Sequence, residues 1–152
     1  MAQIFISFSS VDVQPATQVK RHLEAEGVSV FMSPFIEAGR NWSQEILQEL
    51  RSCDCVVFLA SRDACKSSYV LNETGGAILT GKKLIPVVWD MDPSDLPGWT
   101  NEYQALDLRA KDVPTICNEI GAIAKKNSGE QRTCFYFRCG SDRWFISIYC
   151  YF

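Results

Sequence analysis

A single glutamate, Glu73, is the side chain whose type and position best suit chemistry. It lies in segment 61–88, where a polar turn leads into a helix that ends near Gly81 and a buried strand follows. One face of this helix is formed at helical spacing by Val70, Leu71, Thr74, Ala77 and Ile78. Glu73 lies at the border of that face, where a half-desolvated carboxylate can stabilise positive charge on a bound substrate. The alternative is a solvated helix glutamate, because most helix carboxylates are solvated.

Other polar and aromatic side chains follow the predicted strands. In open parallel sheets, ligands bind beyond the carboxyl ends of the strands. Three segments leave such ends, 8–12, 32–42 and 61–69, and each is rich in hydroxyl, aromatic or charged groups. With Glu73 they predict a cleft, which we expect to be lined by Ser7, Phe8, Ser9, Arg40 and Trp42.

Three familiar kinds of site do not fit the sequence. The single histidine, His22, lies mid-helix on a different segment, so no Ser-His-Asp or Cys-His set can be built. The pair Gly75-Gly76 is isolated within a helix and forms neither a phosphate loop nor a dinucleotide fingerprint. The seven cysteines have irregular spacings that match no zinc site. We therefore predict buried free thiols at Cys53, Cys55, Cys65 and Cys117.

Composition excludes further classes of function. The chain has 152 residues, 47% of them apolar, which predicts one globular domain with a single core. Its net charge is -3 and no basic stripe occurs, so a nucleic-acid partner is not expected. No apolar run reaches the roughly 18 residues of a membrane span. With no signal peptide recognised, we expect a cytoplasmic protein without a membrane partner.

Strands and helices alternate along the chain. Strands are predicted at 3–8, 28–31, 55–60, 83–89 and 103–108, with Ser9, Ser10 and Asp12 as turn and cap residues after the first. Gly27 is predicted to end the first helix, and the last helix is expected to end at 125–127. The strands are uninterrupted apolar runs, which predicts a parallel sheet covered by helices on both faces.

The C-terminal segment is predicted to differ from this pattern. Residues 128–131 are polar and favour a linker, and 133–138 and 143–152 favour two strands joined by a turn at 139–142. We therefore divide the chain into a domain at 1–127 and a β-rich tail at 128–152. Packing on the domain, pairing with another chain and the start of a second domain all remain open for this tail.

Several motifs in order resemble those of Toll/interleukin-1 receptor (TIR) domains. Residues 4–12 (IFISFSSVD) resemble the family's first strand and the loop after it, and 37–46 (EAGRNWSQEI) its variable loop and second helix. Residues 54–61 (DCVVFLAS), 67–73 (SSYVLNE) and 81–87 (GKKLIPV) resemble the third strand, catalytic helix and fourth strand. The resemblance covers about residues 2–127 and is greater to bacterial members than to animal receptor adaptors.

This resemblance implies an α/β, flavodoxin-like fold with a central five-stranded parallel sheet. It also implies NAD+ cleavage at the nicotinamide-ribose bond by a glutamate that matches Glu73. NAD+ would be the substrate, with no cofactor, and the products would be nicotinamide and either ADP-ribose or a cyclic ADP-ribose isomer. Bacterial members of the family commonly act in anti-phage defence.

The resemblance also guides the choice of substrate contacts. Phe8 or Trp42 would stack on nicotinamide or adenine, and Arg40 would meet the pyrophosphate. The alternatives are a core position for Trp42 and a solvated loop charge for Arg40. Tyr69 stands where the family often has tryptophan, and Val70 where cysteine is usual, which leaves the product open. The full set of predicted contacts is Ser7, Phe8, Ser9, Phe31, Arg40, Trp42, Ser67 and Tyr69.

Two other functions remain as alternatives. One is a binding module that only assembles with other TIR, sensor or effector domains. Loop 32–41 is the expected self-association contact, because an apolar Phe35-Ile36 pair in a loop is costly unless covered. A carboxylate at Glu73 favours the enzyme, and the two functions are compatible if assembly activates catalysis. The weaker alternative is an enzyme resembling nucleoside deoxyribosyltransferases.

Overall fold

The computed structural model describes residues 1–32 and 42–130. In this part of the chain, parallel strands form a sheet in the order β2-β1-β3-β4-β5. Their bounds are β1 Gln3–Ser7, β2 Ser29–Met32, β3 Cys55–Ala60, β4 Lys83–Val88 and β5 Leu106–Asp107. β1 and β3 lie at the centre of the sheet, so the loops that follow them are neighbours at its carboxyl edge.

The helices cover both faces of the sheet. Their bounds are α1 Val13–Ala25, α2 Trp42–Ser52, α3 Ser68–Leu79 and α4 Val113–Glu130. α1 and α4 pack in one apolar layer, and α2 and α3 in the other. The predicted flavodoxin-like α/β fold with a central five-stranded sheet is therefore confirmed. Within the described residues, no helix is long and apolar enough to cross a membrane.

Alternation along the strands explains why they are apolar throughout. All six residues of β3 are buried. Val57 and Leu59 pack towards α1 and α4, whereas Val56 and Phe58 pack towards α2 and α3. Because a central strand contacts a helix layer on each face, every position has to be apolar. Full burial of each large apolar side chain is worth roughly 1.5–3 kcal/mol relative to exposure.

Two helix ends confirm the predicted glycine signals. Gly27 has φ 76° just after α1, and Gly81 has φ 68° just after α3. Residues other than glycine rarely adopt this left-handed region. Glycine at each of these two positions therefore lets the chain turn sharply from the helix into the following strand.

Other boundaries differ from the sequence prediction. The fifth strand has only two residues, because 103–105 lie outside the parallel pairing with β4. α4 continues through Glu130, so the predicted linker is wrong for residues 128–130, and the proposed boundary at 127 falls within a helix. Polar composition alone did not separate a linker from the solvated last turn of a helix. The predicted β-rich strands at 133–152 lie outside the described residues.

The turn and cap positions predicted after β1 are confirmed, but the side-chain capping bonds are not. Ser9 and Asp12 occupy cap positions, but neither side chain makes a capping hydrogen bond. The Asp12 carboxylate is used elsewhere, as described next.

Candidate functional site

Glu73 lies buried against the end of β1. Its side chain is 2% exposed, and Ser7 Oγ donates a hydrogen bond to Glu73 Oε2 at 2.5 Å. Ser7 is itself fully buried and is the last residue of β1. The alternative of a solvated helix glutamate is therefore wrong. A carboxyl group held in this way is pre-positioned, away from bulk water, at the edge of the sheet where ligands bind.

The local sequence of α3 explains how Glu73 reaches Ser7. Ser67 caps the helix, its Oγ accepting a hydrogen bond from Val70 N at 3.4 Å. Val70 and Ala77 are buried in the layer with α2, as the predicted helical face requires. Glu73 lies between them in sequence, less than one turn from Val70, so the packed face brings its side chain to the sheet.

A second buried polar pair lies at the same carboxyl edge of the sheet. Asp12 and Ser61 are each 1% exposed, and Ser61 Oγ donates to Asp12 Oδ2 at 2.5 Å. Ser61 Oγ also accepts a hydrogen bond from Ala64 N at 2.9 Å. This pair joins the loop after β1 to the loop after β3. Sequence reasoning missed it, and the available signal was two small polar residues placed shortly after adjacent parallel strands.

The surroundings of Asp12 make ionisation costly. Burial raises the pKa of the Asp12 carboxyl above its ordinary value, and the negative charges of Asp90 and Asp63 raise it further. The hydrogen bond from Ser61 opposes this shift. The buried Trp89 Nε1 has no well-aligned hydrogen-bond acceptor, but its N–H dipole also lowers the pKa of Asp12.

The structure brings only some of the predicted contacts towards Glu73. Phe31 is half-buried at the end of β2 and stacks on Phe5, their ring centroids 5.4 Å apart, in the layer with α2 and α3. Phe8 instead packs in the opposite layer, with α1 and α4, and is 8% exposed. The Phe8 ring therefore lies in the layer opposite α3, because the residue after Ser7 alternates to the other face of the sheet. Ser9 is 8% exposed in the turn after β1.

Of the remaining predicted contacts, only Ser67 has a side chain within the described part of the structure. Ser67 is half-buried, and its Oγ caps α3. Trp42 begins α2 and Tyr69 lies in the first turn of α3, but their side chains lie outside the described part. Arg40 and the apolar pair Phe35-Ile36 also lie outside the described residues. The roles of all these residues stay predictions.

Burial keeps four thiols of the described residues in the protonated form. Burial is the main cause that raises the pKa of Cys53, Cys65 and Cys117 to about 11 and of Cys55 to about 12. These four cysteines are free, three of them buried and Cys65 half-buried. Among the described residues, no group of three or more His, Cys, Asp or Glu side chains is arranged to hold a metal ion.

Solved structures share this fold. The TIR domains of the activated Roq1 resistosome superpose with a TM-score of 0.66 at 17% sequence identity, covering 79% of this chain and 97% of that chain. The TIR domain of the Toll-related receptor TRR-2 from Hydra magnipapillata gives a TM-score of 0.65 at 18% identity, covering 79% and 96%.

Sequence comparison gives the same family. The disease resistance proteins RPP5 and TAO1 of Arabidopsis thaliana are 27% identical over 106 residues and 25% identical over 99 residues. These stretches cover 66% and 61% of this chain but only 7% and 8% of the two relatives. A family model of the TIR domain matches residues 4–118, which include both buried polar pairs and the whole of α3. The chain therefore belongs to the TIR domain family.

Proposed function

We propose that this TIR domain is an NAD+ nucleosidase that uses Glu73. The observation that carries the proposal is the glutamate itself: a helix carboxyl group that is 2% exposed and hydrogen-bonded to Ser7 at the carboxyl edge of a parallel sheet. Burying a carboxyl group is costly, and such groups cluster at functional sites. The resemblance of 67–73 to the family's catalytic helix supports the proposal, since Glu73 matches the family's catalytic glutamate there.

The proposed reaction breaks the bond between the ribose C1′ and the nicotinamide nitrogen. Nicotinamide leaves with the bonding electron pair and becomes neutral, so it needs no protonation. Water then adds to C1′ and releases a proton, giving nicotinamide, ADP-ribose and H+. If a nitrogen of the adenine ring attacks C1′ instead, the adenine loses a proton and the product is a cyclic ADP-ribose, which has one water less than ADP-ribose.

Glu73 would act through its charge. As the bond breaks, positive charge develops on the ribose ring, as it does in glycoside cleavage. A carboxylate fixed near the ribose stabilises that charge without having to reorganise during the reaction. The bond from Ser7 fixes the orientation of the carboxylate, and its buried position strengthens the electrostatic attraction.

The burial of Glu73 also bears on regulation. At 2% exposure, the side chain meets a substrate only after the groups that cover it move. We therefore propose that the isolated domain is weakly active and that self-association through loop 32–41 favours an accessible site. The resistosome in which the Roq1 TIR domains occur supports a link between this fold and assembly.

The biological setting is part of the proposal. The resemblance to bacterial TIR proteins favours a role in bacterial anti-phage defence signalling. The two plant relatives are named as disease resistance proteins, which fits a role for the family in immunity.

The experiment incubates NAD+ with the protein over a wide range of protein concentrations and separates the products by chromatography. Nicotinamide release that rises more than proportionally with protein concentration is expected. Simultaneous appearance of ADP-ribose, or of a cyclic ADP-ribose with one water less, identifies the branch. A chain that self-associates but releases no nicotinamide at any concentration would instead support the binding module.

A further inference from the structure

We propose that Asp12 and Ser61 form a positioning pair, which holds the loop after β1 against the loop leading into α3 and so sets Ser7 and Glu73 in register. The inference deepens the proposed function and rests on it. Neither residue is proposed to contact the substrate. Their effect on catalysis passes through the two residues that they align.

The bond joins two segments beyond the end of the sheet. The pairing of β1 with β3 ends at Ser7 opposite Phe58. Past that point, the Ser61 Oγ to Asp12 Oδ2 bond holds the loops together. Without it, the two loops that carry the proposed site would depend on weaker local contacts.

Hydrogen bonds connect Asp12 and Ser61 to the site on each side. Towards β1, Asp12 N donates to Ser9 O at 2.8 Å, closing a tight turn two residues from Ser7. Towards α3, Ser61 Oγ accepts a hydrogen bond from Ala64 N, and the Ser61 backbone oxygen accepts one from Cys65 N. Each of these bonds is 2.9 Å long.

The connection then continues into the helix. Ser67 N donates to Ala64 O at 3.1 Å, and Ser67 caps the helix that carries Glu73. The bond from Ser7 to Glu73 closes the circuit. Two side-chain bonds, Asp12 with Ser61 and Ser7 with Glu73, therefore close one continuous ring around the proposed site.

A capping role does not explain Asp12. It occupies the N-cap position of α1, yet its side chain makes no capping bond. A buried carboxyl group that gives up this ordinary partner and instead joins two loops is placed at a cost. That cost has a purpose if the position of Glu73 matters, because a shift of about 1 Å in a catalytic group can lower the rate roughly a hundredfold.

The test combines variants of the pair with a matched control. Asp12→Ala and Ser61→Ala each remove the bond, whereas Asp12→Asn keeps an oxygen that can accept it. The control, Thr100→Val, removes the hydroxyl of a fully buried residue that donates to Pro97 O at 2.5 Å, in the segment between β4 and β5.

Turnover of NAD+ is measured well below the melting temperature of every variant. We expect each alanine variant to lower kcat/KM about tenfold or more, chiefly through kcat, and the double variant to lose no more than the worse single variant. Asp12→Asn should stay within about threefold of wild type, as should Thr100→Val. The proposal would be overturned if the fold losses of the two single variants multiplied in the double variant, or if folded Asp12→Ala kept wild-type kcat.

Hydrogen exchange separates this inference from the proposed function. Asp12→Ala should speed exchange at the amides of Ala64 and Val70 by roughly tenfold or more, and Asp12→Asn should not. If the wild type releases no nicotinamide, the proposed activity fails and the exchange result alone decides whether the pair positions the loops. Unchanged exchange at both amides would overturn the positioning role, whatever the activity.

Discussion

Replacing Ser7 with alanine tests whether the bond to Glu73 holds the carboxylate for catalysis. The variant removes one hydroxyl from a fully buried position and leaves Glu73, at 2% exposure, without that donor. A hydrogen bond to a charged group contributes about 1.5–3 kcal/mol. For a domain of this size, that loss lowers the melting temperature by roughly 3–12 °C.

The same bond sets the expected effect on turnover. If the carboxylate turns away from the developing charge, a loss of 1.5–3 kcal/mol in transition-state stabilisation lowers kcat by about 10- to 150-fold. KM should change little, since Ser7 acts through Glu73.

The assay compares initial rates of nicotinamide release at saturating NAD+, together with thermal melts, for wild type, Ser7→Ala and Thr100→Val. The control should lose stability and keep its turnover, because its hydroxyl is bonded to Pro97 O. A folded Ser7→Ala variant with wild-type kcat would show that the bond does not orient the catalytic group.

Three further predictions concern assembly, the domain boundary and pH. Replacing both Phe35 and Ile36 with serine should lower activity at high protein concentration and leave the melting temperature nearly unchanged, whereas equal rates across a concentration series would refute the contact. A chain ending at Glu130 should give a cooperative melt, and an unfolded product would place the tail in the core. Because burial raises the folded-state pKa of Asp12 above 3.8, the contribution of Asp12 to the unfolding free energy is fully present below that value and falls as pH rises through the folded pKa. Urea unfolding across this range should therefore show Asp12→Asn gaining stability relative to wild type as pH rises, and a constant difference would contradict the shift.

The fold was predictable because its signals are local and repeated. The continuous apolar run of Cys55–Ala60 indicated a strand covered on both faces, and glycines at 27 and 81 marked helix ends. The fifth strand was harder to delimit, since only Leu106 and Asp107 pair in register with β4.

The site was predictable only where helical periodicity applied. Spacing placed Glu73 at the border of a buried face, but its bond with Ser7 depends on how α3 packs against the sheet, 66 residues away in sequence. Local sequence also indicated a capping role for the Asp12 side chain, because its actual partner, Ser61, is 49 residues away in sequence. Phe8 was predicted from the sequence to be a neighbour of Glu73. Because Phe8 directly follows Ser7, strand alternation turns its ring to the opposite layer.

The most direct measurement of the central claim compares nicotinamide release by wild type, Glu73→Gln and Glu49→Gln. The control has the same substitution on a half-buried helix glutamate that accepts a hydrogen bond from Gln3 Nε2 at 2.9 Å. If the charge of Glu73 stabilises the transition state, Glu73→Gln should lose about 3 kcal/mol or more, a hundredfold in rate or greater, while it remains folded. Glu49→Gln should keep wild-type turnover. A folded Glu73→Gln protein that releases nicotinamide as fast as wild type would contradict the assignment of Glu73 as the catalytic residue.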